Sequence, residues 1–194
     1  FERLVSFMDM EGALIALVDE DQQDDVKELF DKLADFYIDV IGRMKQYFDL
    51  DILWFHDDWG SQRAPMFSYE TVQEMIFPYL KKVIDAAHAA GIIFEFHSCG
   101  KIDPLVPLIV EAGADLWDGQ EMNDKEELSR IYQGRLGIEV EAQLRPGMTE
   151  EEMHAYLREF LDRYAPGVFL GKSFKADPRL SVIAYEESRI RYSS

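Results

Sequence analysis

Glu95, His97 and Cys99 occupy alternate positions of Ile92-Ile93-Phe94-Glu95-Phe96-His97-Ser98-Cys99-Gly100, and Cys99 is the only cysteine in the chain. Side chains two apart on a strand point to the same face. A carboxylate, an imidazole and a thiol would therefore share one wall where an apolar strand runs into a glycine turn. These are the ligand types of a borderline-soft ion such as zinc. The same residues also have a packing reading. Cysteine often behaves as a small buried hydrophobe, and a core histidine is often a hydrogen-bonded polar group. The position at a strand end, with Glu95 on the same face, favours a metal site. Zinc takes three or four protein ligands, so another must come from a different strand end; Asp58, Asp118 and Glu141 are the candidates.

Two further clusters follow apolar runs. In Asp57-Asp58-Trp59-Gly60-Ser61-Gln62 adjacent carboxylates leave a strand. Neighbours on an extended chain face opposite ways, so only one of them should point into a cavity. Asp58 would orient a substrate or take a proton, with Gln62 supplying hydrogen bonds; a solvated Asx-turn is the competing reading. In the second cluster, Trp117 would pack flat on a substrate and Gln120 would hydrogen-bond it, although core packing with a helix cap explains that cluster equally well. Glu141 lies nearest the carboxyl end of its strand and joins Asp58 as a candidate catalytic carboxylate. His56 reads as a ligand or as a hydrogen-bonded core residue, and His88 and His154 read as structural.

The elements that must position these residues alternate. Residues 1–48 are helical in pattern, with a long amphipathic segment from about Asp24. Short apolar runs follow at 51–56, 92–97, 114–117, 136–140 and 168–170, separated by helical segments at 69–90, 104–112, 124–132 and 150–164. Ser68, Asp103 with Pro104, Asn123 with Glu126, and Thr149 with Glu152 mark helix starts. Gly91 and Gly113 stand where helices should stop. Strand–helix alternation implies parallel strands, and acidic or histidine residues near strand ends suit a barrel. A (β/α)8 barrel needs eight strands and about five are visible, so the choice is a carboxyl-terminal part of a barrel or an open doubly wound sheet. No glycine-rich phosphate fingerprint follows any strand.

The chain has 194 residues, with 20 basic and 38 acidic side chains, a formal net charge of −18. That balance argues against nucleic acid and anionic membrane surfaces as partners. The longest apolar runs fall far short of the roughly 20 residues that span a bilayer. One cysteine makes no intrachain disulfide, and the amino terminus has no basic region followed by an apolar run. A single domain over 1–194, in a reducing cytoplasm, is expected.

The segments Phe1-Glu2-Arg3-Leu4, Asp57-Asp58-Trp59-Gly60-Ser61-Gln62, Pro78-Tyr79-Leu80-Lys81-Lys82, His97-Ser98-Cys99-Gly100-Lys101 and Glu111-Ala112-Gly113-Ala114-Asp115 resemble the uroporphyrinogen decarboxylase superfamily, in order over nearly the whole chain. The resemblance implies a TIM-type (β/α)8 barrel of which this chain holds about the last five strands. One branch of the superfamily removes carboxylates from a tetrapyrrole without a cofactor. The other consists of zinc methyltransferases that move methyl groups between corrinoid proteins and thiols or similar acceptors. In that branch a His-x-Cys pair on this strand, with a later cysteine, holds the zinc. His97 and Cys99 match the pair, so the chain is more similar to the methyltransferases. Ser173 stands where the later cysteine should be, so either a carboxylate takes its place or the metal is bound weakly or not at all. Lys172 stands where decarboxylases have a histidine, and would be a substrate-binding cation. A zinc ion, a small-molecule substrate, a corrinoid carried by a partner protein and a homodimer are the associated expectations. A cofactor-free decarboxylase is the alternative enzyme, and a degenerate barrel serving as a binding module the non-enzymatic reading.

Overall fold

The structure, a computed structural model, describes residues 1–171 and 178–193, so Lys172 and Ser173 lie outside the described residues. The chain divides into two compact units, Phe1–Asn123 and Asp124–Ser194.

The first unit opens with α1 (Glu2–Met8), α2 (Met10–Ala16) and the long α3 (Gln23–Phe48). Along α3 the buried positions Val26, Phe30, Ala34 and Ile41 form one stripe, as a 3.6-residue repeat requires. Strand β1 (Ile52–His56) follows, then α4 (Tyr69–Met75), α5 (Phe77–Ala89), β2 (Ile93–Ser98), a 3-10 turn (Asp103–Leu105), α6 (Val106–Ala112) and β3 (Leu116–Gly119). The single helix expected over 69–90 is broken at Ile76. Pro78 sits in the first turn of α5, where its missing N–H is harmless; in the middle of one continuous helix it would remove a hydrogen bond and clash. Ser68 caps α4 by accepting from the Thr71 amide at 3.1 Å. Gly113 ends α6 in the left-handed region at φ 100°.

The three strands are parallel, and their register sorts the side chains onto two faces. One face carries Phe94, Phe96 and Trp117, all fully buried. The other carries Ile52 beside Ile93, then Trp54 beside Glu95 and Leu116, then His56 beside His97 and Asp118. Polarity thus rises towards the strands' carboxyl ends, as a row of functional residues in a β/α fold requires.

The second unit contains α7 (Lys125–Ile131), β4 (Gly137–Glu139), α8 (Glu150–Asp162), β5 (Val168–Phe169) and α9 (Arg179–Tyr192). β4 and β5 are parallel. Met153, Leu157 and Phe160 of α8 pack with Leu180 and Ile183 of α9 in the core of this unit. Thr149 and Glu152 form a reciprocal capping box at the start of α8. α7 is capped by Asp124, which accepts from the Glu127 amide at 3.0 Å. Asn123, expected at that position from the sequence, is used elsewhere. The sequence pattern gave no sign of α9, because apolar residues fall on its exposed side (Val182, Tyr185, Ile190) as well as its buried one.

Parallel strands alternating with helices in each unit establish the α/β class, in keeping with part of a TIM-type barrel. No helix among the described residues is long and apolar enough to cross a membrane.

Candidate metal centre

His97 is the last inward residue of β2 and is nearly buried. The strand ends at Ser98 and the chain turns, which brings Cys99 back beside the ring: Sγ lies 3.4 Å from His97 Nε2. The carboxylate that meets them is Asp58, from the loop after β1. Its Oδ1 accepts from the Cys99 amide at 2.7 Å and lies 3.9 Å from His97 Nε2. Asp58, His97 and Cys99 each offer one ligand atom, and the three atoms lie within 4.8 Å of one another. Ligands about 2.0–2.3 Å from a tetrahedral ion stand roughly 3.3–3.8 Å apart, close to the 3.4 Å and 3.9 Å that separate Cys99 Sγ and Asp58 Oδ1 from His97 Nε2.

The other imidazole nitrogen, Nδ1, lies 3.0 Å from Asp118 Oδ2, and Asp118 is buried at 1% exposure. With Asp118 ionised, and so only accepting, Nδ1 would carry the hydrogen and the Nε2 lone pair would face Asp58 and Cys99. A carboxylate behind a histidine in this way fixes tautomer and ring orientation for a metal. The rings of Trp54, His56 and His97 lie side by side, His56 and His97 with centroids 4.6 Å apart and Trp54 and His56 4.3 Å apart. Negative charge collects nearby: burial, then the Asp58 and Asp57 carboxylates, push the Glu2 carboxyl above its ordinary range.

The two exit loops are stitched together. The Trp59 amide donates to Ser98 Oγ at 2.9 Å, and the Lys101 amide donates to the Ser61 carbonyl at 2.8 Å. Gly100, at φ 85°, presses on Gly60 so closely that a Cβ there would fall within the Gly60 backbone. Only glycine fits such a crossing.

Glu95 lies one step back along β2, in register with Trp54 rather than among the three converging atoms. Asp57 and Asp58 diverge; Asp57 accepts from Trp59 Nε1 at 2.8 Å and from the Glu2 amide at 2.9 Å. Gln62 is exposed on the loop. Trp117 is fully buried on the opposite face from His97, its ring packed over Gly119, so the core-packing alternative describes it. Gln120 accepts from the Gly100 amide at 2.7 Å through Oε1 and so braces the turn. Glu141 follows β4 in the second unit and is half-buried. Sequence reasoning took Asn123 for a helix cap and missed its contacts to Gly100 and Ile102. The two consecutive polar residues Asn123-Asp124 were the available sign that only one of them need cap.

The family model described as uroporphyrinogen decarboxylase (URO-D) matches residues 6–144, more than half of the chain. The chain belongs to the uroporphyrinogen decarboxylase family. No curated protein matches it.

Proposed function

We propose that this chain carries the zinc site of a methyltransferase in the uroporphyrinogen decarboxylase family, moving a corrinoid-bound methyl group to a thiol or similar acceptor. The observation that supports the reading is the convergence of Asp58, His97 and Cys99 on one point. The donor set fits zinc: one nitrogen, one sulfur and one carboxylate oxygen are three of its usual ligand types. Three protein ligands, with a fourth position left for water or substrate, is the pattern of catalytic zinc rather than structural zinc. Bound there, zinc would supply the Lewis acidity that lowers the pKa of an acceptor thiol.

The chain's own residues divide the remaining work. Asp118 keeps the hydrogen on Nδ1 of His97, so Nε2 is available as a ligand. The Cys99 amide, donating to Asp58, holds the thiol and the carboxylate in one place. Asp58 supplies the carboxylate needed where Ser173 replaces the later cysteine of the methyltransferases. Its surroundings, with Glu2, Asp57 and Asp118 close by, suit a neutral or cationic acceptor better than a tetrapyrrole bearing several carboxylates.

Zinc analysis tests this. The chain, prepared with zinc and then dialysed, is expected to retain one zinc per molecule. His97→Ala and Cys99→Ser are each expected to retain almost none while keeping the far-ultraviolet circular dichroism of the parent. A chain that holds no zinc after supplementation would remove the basis of the proposal.

A further inference from the structure

The end of β3 and the stretch that leaves it offer no atom to the converging trio, yet they touch both sides of it. Asp118 holds the His97 ring through Nδ1, as described. Two residues on, Gln120 Oε1 accepts from the Gly100 amide at 2.7 Å. Asn123, at 6% exposure, uses its side chain three times. Its Oδ1 accepts from the Ile102 amide at 2.7 Å, and its Nδ2 donates to the carbonyls of Gly100 at 3.0 Å and Gln120 at 2.8 Å. Helix capping does not require any of these bonds, since Asp124 performs it.

The consequence for Cys99 is geometric. Its amide is fixed by Asp58. The next residue, Gly100, has its amide held by Gln120 and its carbonyl by Asn123. The amide after Lys101 is held by Asn123 again. With the backbone pinned on both sides, the Cys99 thiol keeps little freedom beyond rotation about its own Cα–Cβ bond. A buried amide side chain with three satisfied bonds is rigid, and removing it would leave two main-chain groups without partners.

We infer that Asn123, with Gln120, is a positioning residue for the Cys99 thiol, as Asp118 is for the His97 ring, so that one strand exit aligns two ligands supplied by another. The inference rests on the zinc reading. Residues behind metal ligands typically change affinity 10–100-fold when removed, and a loss of about that size is expected here.

Cobalt(II) is the probe, because its absorption separates thiolate-to-metal charge transfer from the weaker ligand-field bands. The full chain, Asn123→Ala, Asn123→Asp and Asp118→Asn are titrated with cobalt(II), and zinc affinity is measured against a competing chelator. Asn123→Ala is expected to bind about 10–100-fold more weakly and to lose much of its charge-transfer intensity per bound cobalt. Asn123→Asp keeps the acceptor for the Ile102 amide but not the donor, and is expected to fall between. Asp118→Asn is expected to weaken affinity while retaining the thiolate band. Thermal melts check the fold, and the milder Asn123→Asp carries the test if the alanine variant does not fold. Parent-like affinity and band intensity in both Asn123 variants would overturn the inference with the zinc reading intact. Failure of the parent chain to bind cobalt or zinc would instead overturn the zinc reading.

Discussion

At the residue scale the site depends on where a strand stops. Residues two apart on a strand stand about 6.6 Å apart at the backbone, so whether both reach one ion depends on their side chains converging. Glu95 and His97 both lie within β2 and keep that spacing, whereas Cys99 lies past its end and folds back to 3.4 Å from the ring. Alternation along the sequence therefore located the wall but not which carboxylate would join it; that depended on the β1 loop delivering Asp58. The fold-back is possible because Gly100 adopts φ 85° against Gly60. Gly100→Ala is expected to lower unfolding stability by about 1–3 kcal/mol in urea denaturation. A change below about 0.5 kcal/mol would show that the crossing tolerates a methyl group and is not what fixes Cys99.

At the element scale, strand periodicity and the caps at Ser68 and Thr149 were legible, while the caps expected at Asp103 and Asn123 and the interruptions were not. Among the described residues, the five strands fall within two residues of the apolar runs that suggested them, because short runs bounded by glycine and helix starts leave little choice. Pro78 was visible in the sequence, but whether it would kink or divide a helix depended on the turn at Ile76, whose φ of −118° departs from the regular helical value. α9 was illegible because its two sides differ little in polarity. The start of α8 was read correctly from Thr149 and Glu152, and it has a pH signature. Bonding from the Thr149 amide, then from its hydroxyl, holds the Glu152 carboxyl below its usual range. A carboxyl depressed in the folded state contributes stability above its unfolded pKa and loses it as pH falls through the folded value. Glu152→Gln keeps an acceptor oxygen without the charge. Its melting temperature is expected to lie below that of the parent near neutral pH and to converge with it below about pH 4. A gap that stays constant with pH would show that the charge contributes nothing to the cap.

At the scale of the whole molecule, composition excluded more than it identified. A net charge of −18 argues against phosphate-rich partners, but it could not say where acidic groups would gather. Some serve surface ion pairs, such as Lys82 with Asp31 and Asp35; others, Asp57, Asp58 and Asp118, are drawn into the strand exits. The parallel β/α pattern was legible because every strand announces itself. The cooperation of three strand exits in one site was not, because it depends on register: His56, His97 and Asp118 are aligned across three strands separated in sequence by helices. The central claim is that this alignment builds a zinc site with a single sulfur ligand. X-ray absorption of the zinc-loaded chain tests it most directly. The expected result is one sulfur at about 2.3 Å with nitrogen and oxygen ligands at about 2.0–2.2 Å, the sulfur disappearing in Cys99→Ser. A shell of nitrogen and oxygen alone, unchanged by that substitution, would contradict the account.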